Sequence, residues 1–212
     1  MSELVLYGDA NWHSPYAFSC YVALREKGLP FEYRTLSLEA GEHRAPDYQR
    51  ESLTGRVPAL RHGEFWLSES SAIDEYLEDV FPPPGHAGLY PAEPRQRARA
   101  RQLQAFLRSD LLPLRVERPT STVFGREAVE PLTPAGEEAA RRLVAAAERL
   151  LSPGAAALFG DFGIADADLA LMLQRLAANG DPLPERLLGY AAGIWQRPSV
   201  KGFIARELPP GR

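Results

Sequence analysis

Apolar positions in the first eighty residues change period from one segment to the next. "LVLYG" (4–8) is a short uninterrupted apolar run and predicts a buried strand. Residues 15–27 place Ala17, Cys20, Ala23 and Leu24 at helical spacing, and Gly28 closes that helix. "FEYRTLSL" (31–38) alternates Phe31, Tyr33 and Thr35 with polar residues, a second strand with a half-buried face. "VPALRHGEFWL" (57–67) predicts two short strands around a tight turn at His62-Gly63. "SSAIDEYLEDV" (70–80) starts with hydroxyls and repeats apolar residues at Ile73, Leu77 and Val80, an amphipathic helix. The order is βαβ, loop, ββα.

The proline-rich stretch "FPPPGHAGLYPAEP" breaks this pattern, since proline blocks helix continuation and sets extended geometry. Beyond it strand signals stop. Leu103, Leu107, Leu111 and Leu114 form one face of a long helix over 94–116, which Pro113 bends or ends. "TPAGEEAARRLVAAAERLL" (133–151) opens with a threonine cap and proline at the first helical position. Further helices are expected at 164–179, 183–194 and 198–207. The expected organisation is an α/β domain over 1–81, a linker over 82–93 and an all-α domain over 94–212.

Composition keeps this reading in the ordinary globular class: 212 residues, 45% hydrophobic and 25% charged. The net charge of −4 offers no overall basic field to nucleic acid. "RQRARAR" (95–101) is a local basic run, but alternate residues spread around a helix and read as a solvated face or subunit contact. No apolar run reaches membrane-spanning length, and the start has no basic-then-apolar leader pattern. Cys20 is the sole cysteine, which fits a reducing compartment, so a cytoplasmic protein is expected.

Several chemistries find no support. Histidines 13, 43, 62 and 86 lack metal-ligand spacing, and no glycine-rich phosphate loop occurs. "DFG" (161–163) has no other kinase element around it, and "DAD" (166–168) suits a helix start. Three places remain. In "NWHSPY", Ser14 precedes Pro15 at a helix start, where backbone amides, dipole and hydroxyl together stabilise an anion such as a thiolate. In "GRVPAL", Pro58 opens a strand; a cis Val57-Pro58 bond would turn the backbone of Val57 outward, open to a bound peptide. In "SESSAI", Glu69 can hold an ammonium, while Ser70 and the helix start can hold a carboxylate. Taken singly, each is also a plain structural feature: a helix cap, an edge proline, and a cap with an acidic neighbour.

Together these segments resemble the cytosolic glutathione S-transferase family over essentially the whole chain. "SPY", "GEH", "RVP", "LSESSAI", "EYLED" and "RARARQ" are similar to those of its bacterial YfcF-type members. The resemblance implies a thioredoxin-like N-terminal domain (βαβ–ββα) and an all-α C-terminal helical domain. It also implies glutathione as co-substrate, without a metal. Glu69 and Ser70 match the pair that grips the γ-glutamyl group. Val57 before Pro58 matches the residue whose backbone pairs with the cysteinyl segment, and His43 in "AGEH" matches a histidine reaching the glycyl carboxylate. Ser14 matches the thiol-activating position.

Departures are visible as well. "SLTGRVP" replaces the family's "NPxGxVP", and Gly163 stands where a Ser or Thr usually caps the helix before "IAD", with Asp166 kept. No arginine follows Ser14 in the first helical turn, unlike zeta-type isomerases, and serine cannot form a mixed disulfide. The expected protein is a homodimeric glutathione transferase, with peroxidase activity toward organic hydroperoxides also open. A small hydrophobic electrophile is expected against Phe106 and Asp110. The alternatives are an inactive binding or regulatory module and a dehydroascorbate reductase.

Overall fold

The computed structural model describes residues 4–125, 127 and 129–209. They divide into two compact units, one of residues up to 89 together with those from 198 onward, the other of residues 90–197.

The first unit contains β1 (Leu4–Asp9), α1 (Pro15–Glu26), β2 (Glu32–Leu36), a 3-10 turn (Glu42–Arg44), α2 (Pro46–Glu51), β3 (Ala59–His62), β4 (Phe65–Ser68), α3 (Ser70–Val80) and α10 (Pro198–Ile204). The four strands run in the order β2-β1-β3-β4, with β1 parallel to β2 and antiparallel to β3, and β3 antiparallel to β4. The predicted βαβ–ββα order is therefore present. Three local expectations shift. The hairpin turn is Gly63-Glu64, because His62 still pairs with Phe65. Thr35 is exposed, so only Phe31 and Tyr33 carry the buried side of the second strand. The loop after β2 holds the 3-10 turn and α2, too short to stand out by periodicity.

All six residues of β1 are buried, as expected for a strand covered on both faces. Val5 and Tyr7 pack with Tyr48 of α2 and Trp66 of β4, and the Tyr7 and Trp66 rings stack at 4.9 Å. Helices α1 and α3 also pack against this sheet and against each other. Gly8 must be glycine: a Cβ there would lie 1.9 Å from the Tyr33 hydroxyl oxygen.

The C-terminal helix departs from the expected division at 94–212. Residues 198 onward join the first unit, because Phe203 enters an aromatic cluster with Trp12, Phe18 and Tyr21. Sequence periodicity marks α10 as a helix but does not say which core receives it. A second buried connection closes the other end of α1. The Lys27 ammonium, 0% exposed, donates to Glu78 Oε2 at 2.7 Å and to the carbonyls of Phe81 and Ala87.

The regular elements of the second unit among its described residues are helices, with one isolated β-bridge between Phe159 and Asp161: α4 (Pro94–Ser109), α5 (Leu112–Glu117), α6 (Thr120–Phe124), α7 (Pro134–Leu150), α8 (Ile164–Ala177) and α9 (Glu185–Trp195). The predicted helix over 94–116 is two. It breaks at Asp110-Leu111, and Pro113 sits in the first turn of α5, where its missing N–H costs nothing. The four leucines still share one buried face. In the basic run, Arg97 and Arg101 lie over the Tyr90 ring and Arg99 bonds Gln102. No helix of the described residues is long and apolar enough to cross a membrane.

Candidate functional site

Strand direction brings the candidate residues of the first unit to one end of its sheet. Tyr7 pairs with Ala59 and Ala59 with Ser68, so the end of β1, the start of β3 and the end of β4 coincide. The segments just beyond them are Ala10–Ser14, Val57-Pro58 and Glu69-Ser70. Loops at the carboxyl ends of such strands are where ligands bind in open α/β sheets.

Ser14 is the N-cap of α1, half-buried, with its Oγ accepting the Ala17 N–H at 3.1 Å. The neighbouring amides are already engaged. His13 N and Ser14 N each donate to the Asp9 carboxylate at 2.8 Å, and Pro15 has no N–H. The expectation that free backbone amides serve an anion here is thus not met at residues 13, 14, 15 and 17. Oγ accepts from Ala17, and no acceptor among the described residues takes the hydroxyl hydrogen, which leaves it an available donor.

The Val57-Pro58 bond is cis, Pro58 is buried and Val57 half-buried. Among the described residues no hydrogen bond engages the backbone N–H or C=O of Val57. A partner strand or peptide can use both. The approach to Val57 is held by Tyr48, whose hydroxyl donates to the Arg56 carbonyl at 2.7 Å. Burial pushes the Tyr48 phenol up to about 12, so it stays a donor at neutral pH.

Glu69 occupies an unusual backbone conformation, φ 71° and ψ 114°, ahead of α3. Its carboxylate does not cap the helix and is exposed, whereas Ser70 is 3% exposed. A positive φ at a non-glycine residue costs about 1–3 kcal/mol and persists where the surroundings impose it. Relief of that strain, less the entropy glycine adds to the unfolded chain, predicts that Glu69→Gly stabilises the protein by about 0.5–2 kcal/mol. Urea unfolding reads this, and a destabilised variant would contradict the strain argument.

His43 lies in the 3-10 turn, half-buried, and its Nδ1 is a buried nitrogen with no hydrogen-bond partner among the described residues. Its carbonyl lies 3.8 Å from where a Cβ on Gly55 would stand, so this turn packs beside the segment leading to Val57. Phe106 and Asp110 belong to the helical unit. Phe106 lines a cleft of about 480 Å³ with Leu103, Ala146 and Leu150. Asp110 pairs with Arg142 at 2.8 Å, and the same guanidinium lies over the Phe106 ring. Among the described residues no group of three His, Cys, Asp or Glu is placed to hold a metal.

Three residues with a positional role escape the motif reading: Asp9, Trp12 with φ 58°, and Tyr48. An Asp at a strand end with Asn two residues on is a turn signal that could have flagged the first. The other two depend on contacts distant in sequence.

A four-stranded mixed sheet with a cis-proline at the start of its third strand, followed by a separate helical unit, defines a two-part protein with a thioredoxin-like first half. The family models agree: residues 13–80 match "Glutathione S-transferase, N-terminal domain" and residues 93–208 match "Glutathione S-transferase, C-terminal domain". The chain belongs to the glutathione S-transferase family. A crystal structure of a glutathione transferase homologue from Burkholderia, with bound glutathione, is 43% identical with a TM-score of 0.79, covering 96% of this chain and 97% of that one. Glutathione S-transferase 1 of Dianthus caryophyllus is 37% identical over 98 residues, 46% of this chain and 43% of that protein. Maleylacetoacetate isomerase of Pseudomonas aeruginosa is 38% identical over 107 residues, 49% of each. The chain thus spans less than half the length of these curated relatives.

Proposed function

We propose that this chain is a glutathione transferase in which the Ser14 hydroxyl donates to the glutathione sulfur and stabilises its thiolate. The observation that carries the reading is the placement of Ser14 at the start of α1: the amides of residues 13, 14 and 17 are engaged, while no acceptor among the described residues takes the Ser14 O–H. A charge-assisted hydrogen bond favours the ionised thiol. Each unit by which the thiol pKa falls corresponds to about 1.4 kcal/mol, so two units supply about 2.7 kcal/mol and convert a mostly neutral thiol at pH 7 to a mostly ionised one.

The rest of the tripeptide finds chemically matched groups. The unengaged N–H and C=O of Val57, held by Pro58, pair with the cysteinyl backbone. Glu69 accepts from the γ-glutamyl ammonium, while Ser70 and the start of α3 take its carboxylate. His43 is our candidate for the glycyl carboxylate. The thiolate then attacks an electrophilic carbon: a C–S bond forms as the leaving group departs with the bonding pair. Toward a hydroperoxide the same thiolate would attack the O–O bond, a second glutathione completing the reduction to disulfide, alcohol and water. The isomerase relatives favour a second reading, reversible thiolate addition that permits rotation about a double bond. Phe106 and Asp110 are our candidates for electrophile contact, and the protein is proposed to be a cytoplasmic homodimer.

Glutathione is expected to bind between micromolar and millimolar, roughly 4–8 kcal/mol. Ser14→Ala removes one charge-assisted hydrogen bond to the thiolate and should lower turnover with a chloronitrobenzene about tenfold to a hundredfold, with glutathione affinity nearly unchanged. Steady-state kinetics with calorimetry measures both. Unchanged turnover would assign the sulfur to another donor, and absence of binding heat and of competition by S-hexylglutathione would overturn the glutathione reading itself.

A further inference from the structure

The turn between β1 and α1 is built around a carboxylate with an unusual set of partners. Asp9, the last residue of β1, is 5% exposed, and no cation pairs with it among the described residues. A buried carboxylate is costly unless its oxygens are satisfied. Here each oxygen accepts one backbone N–H, Oδ2 from His13 and Oδ1 from Ser14, both at 2.8 Å.

The turn has other anchors that do not need this side chain. Ala10 N donates to the Leu36 carbonyl at 2.9 Å and Trp12 N to the Asp9 carbonyl at 3.1 Å. The Trp12 ring is 6% exposed and packs 4.3 Å from Tyr33 and 5.0 Å from Phe203. These contacts fix residues 10–12. The carboxylate acts on the next two residues alone, the pair that ends in Ser14.

We propose that Asp9 is the positioning residue for Ser14: its two oxygens fix the His13 and Ser14 amides, setting the cap residue's place and leaving the Ser14 hydroxyl as the donor aimed at the sulfur. This rests on the reading of Ser14 given above. An aspartate suits the task because both carboxylate oxygens accept and neither donates; asparagine offers one acceptor and turns an NH2 toward the second amide. The side chain reaches the amides four and five residues on. A glutamate would carry its oxygens one methylene too far.

The test is a double-mutant cycle, with Asp9→Asn and Asp9→Ala made in the wild type and in Ser14→Ala. Turnover of a chloronitrobenzene with glutathione is the readout, and binding of S-hexylglutathione is the control. In the wild-type background kcat should fall about tenfold to a hundredfold, as for a displaced catalytic group, with affinity for S-hexylglutathione changed less than about twofold. In the Ser14→Ala background either substitution should change the residual rate by less than about twofold, because nothing is left to position. Equal losses in both backgrounds, or no loss in the wild type, would overturn the proposal. Near-UV circular dichroism checks folding; if Asp9→Ala unfolds, Asp9→Asn carries the test, and failure of both to fold would assign Asp9 to folding and overturn positioning. Failure of the underlying reading is seen elsewhere: wild type that binds no S-hexylglutathione, or Ser14→Ala with full turnover.

Discussion

Asp166→Ala is expected to destabilise the protein by about 3–5 kcal/mol. Asp166 is the third residue of α8 and 0% exposed, and its carboxylate accepts from Leu158 N (2.8 Å), Gly163 N (2.9 Å) and the Tyr190 hydroxyl (2.7 Å). The cap itself is Gly163, without a side chain, so this carboxylate supplies the side-chain tie from the turn before α8 to the helix and to α9. Burial raises the Asp166 carboxyl, and the three donors oppose that rise; burial and the neighbouring carboxylate raise the Tyr190 phenol as well. Truncation leaves three donors without an acceptor, each costing about 1–3 kcal/mol when buried, partly relieved by water entering the gap. Asp166→Asn keeps one acceptor and should fall between alanine and wild type. Urea unfolding measures both. A loss under about 1 kcal/mol for alanine would mean that the turn is held by its apolar contacts.

Lys27→Met is the second large effect, expected to cost about 3–5 kcal/mol, the range for breaking one side of a buried ion pair. Lys27 Nζ joins the end of α1 to Glu78 near the end of α3 and to two carbonyls of the proline-rich segment. Glu78 also accepts Leu89 N at 2.9 Å. Removing the ammonium strands a nearly buried carboxylate and two carbonyls. At about 2–4 °C per kcal/mol for a chain of this size, the melting temperature should fall by roughly 6–20 °C. Lys27→Met with Glu78→Leu should recover part of the loss, since no unpaired charge remains. A double variant no better than the single one would contradict the ion-pair account.

These two clusters show how unevenly the structure was legible beforehand. Asp166 could be read as a helix-start carboxylate from "GIADAD", since capping is local. Lys27 and Glu78 are 51 residues apart, and each in isolation reads as an exposed helix residue. The same contrast runs through the candidate site. Ser14 before Pro15 and Val57 before Pro58 are local signals, and both keep the expected conformations. Which donors remain at Ser14 depends on Asp9 folding back over five residues, and no periodicity encodes that.

The sequence by itself determined the order of the strands and of the longer helices, the caps at Ser14 and Thr133, the proline-rich division and the residue types at the three candidate segments. Each follows from periodicity or backbone stereochemistry within a few residues. Only the tertiary structure decided that α10 joins the first unit, that Tyr48 braces the approach to Val57, that Glu69 takes a positive φ, and that Asp9 consumes the amides beside Ser14. Those features are set by contacts between residues remote in the chain or by competition for a few donors. Their free energies arise only when the strands place the partners together.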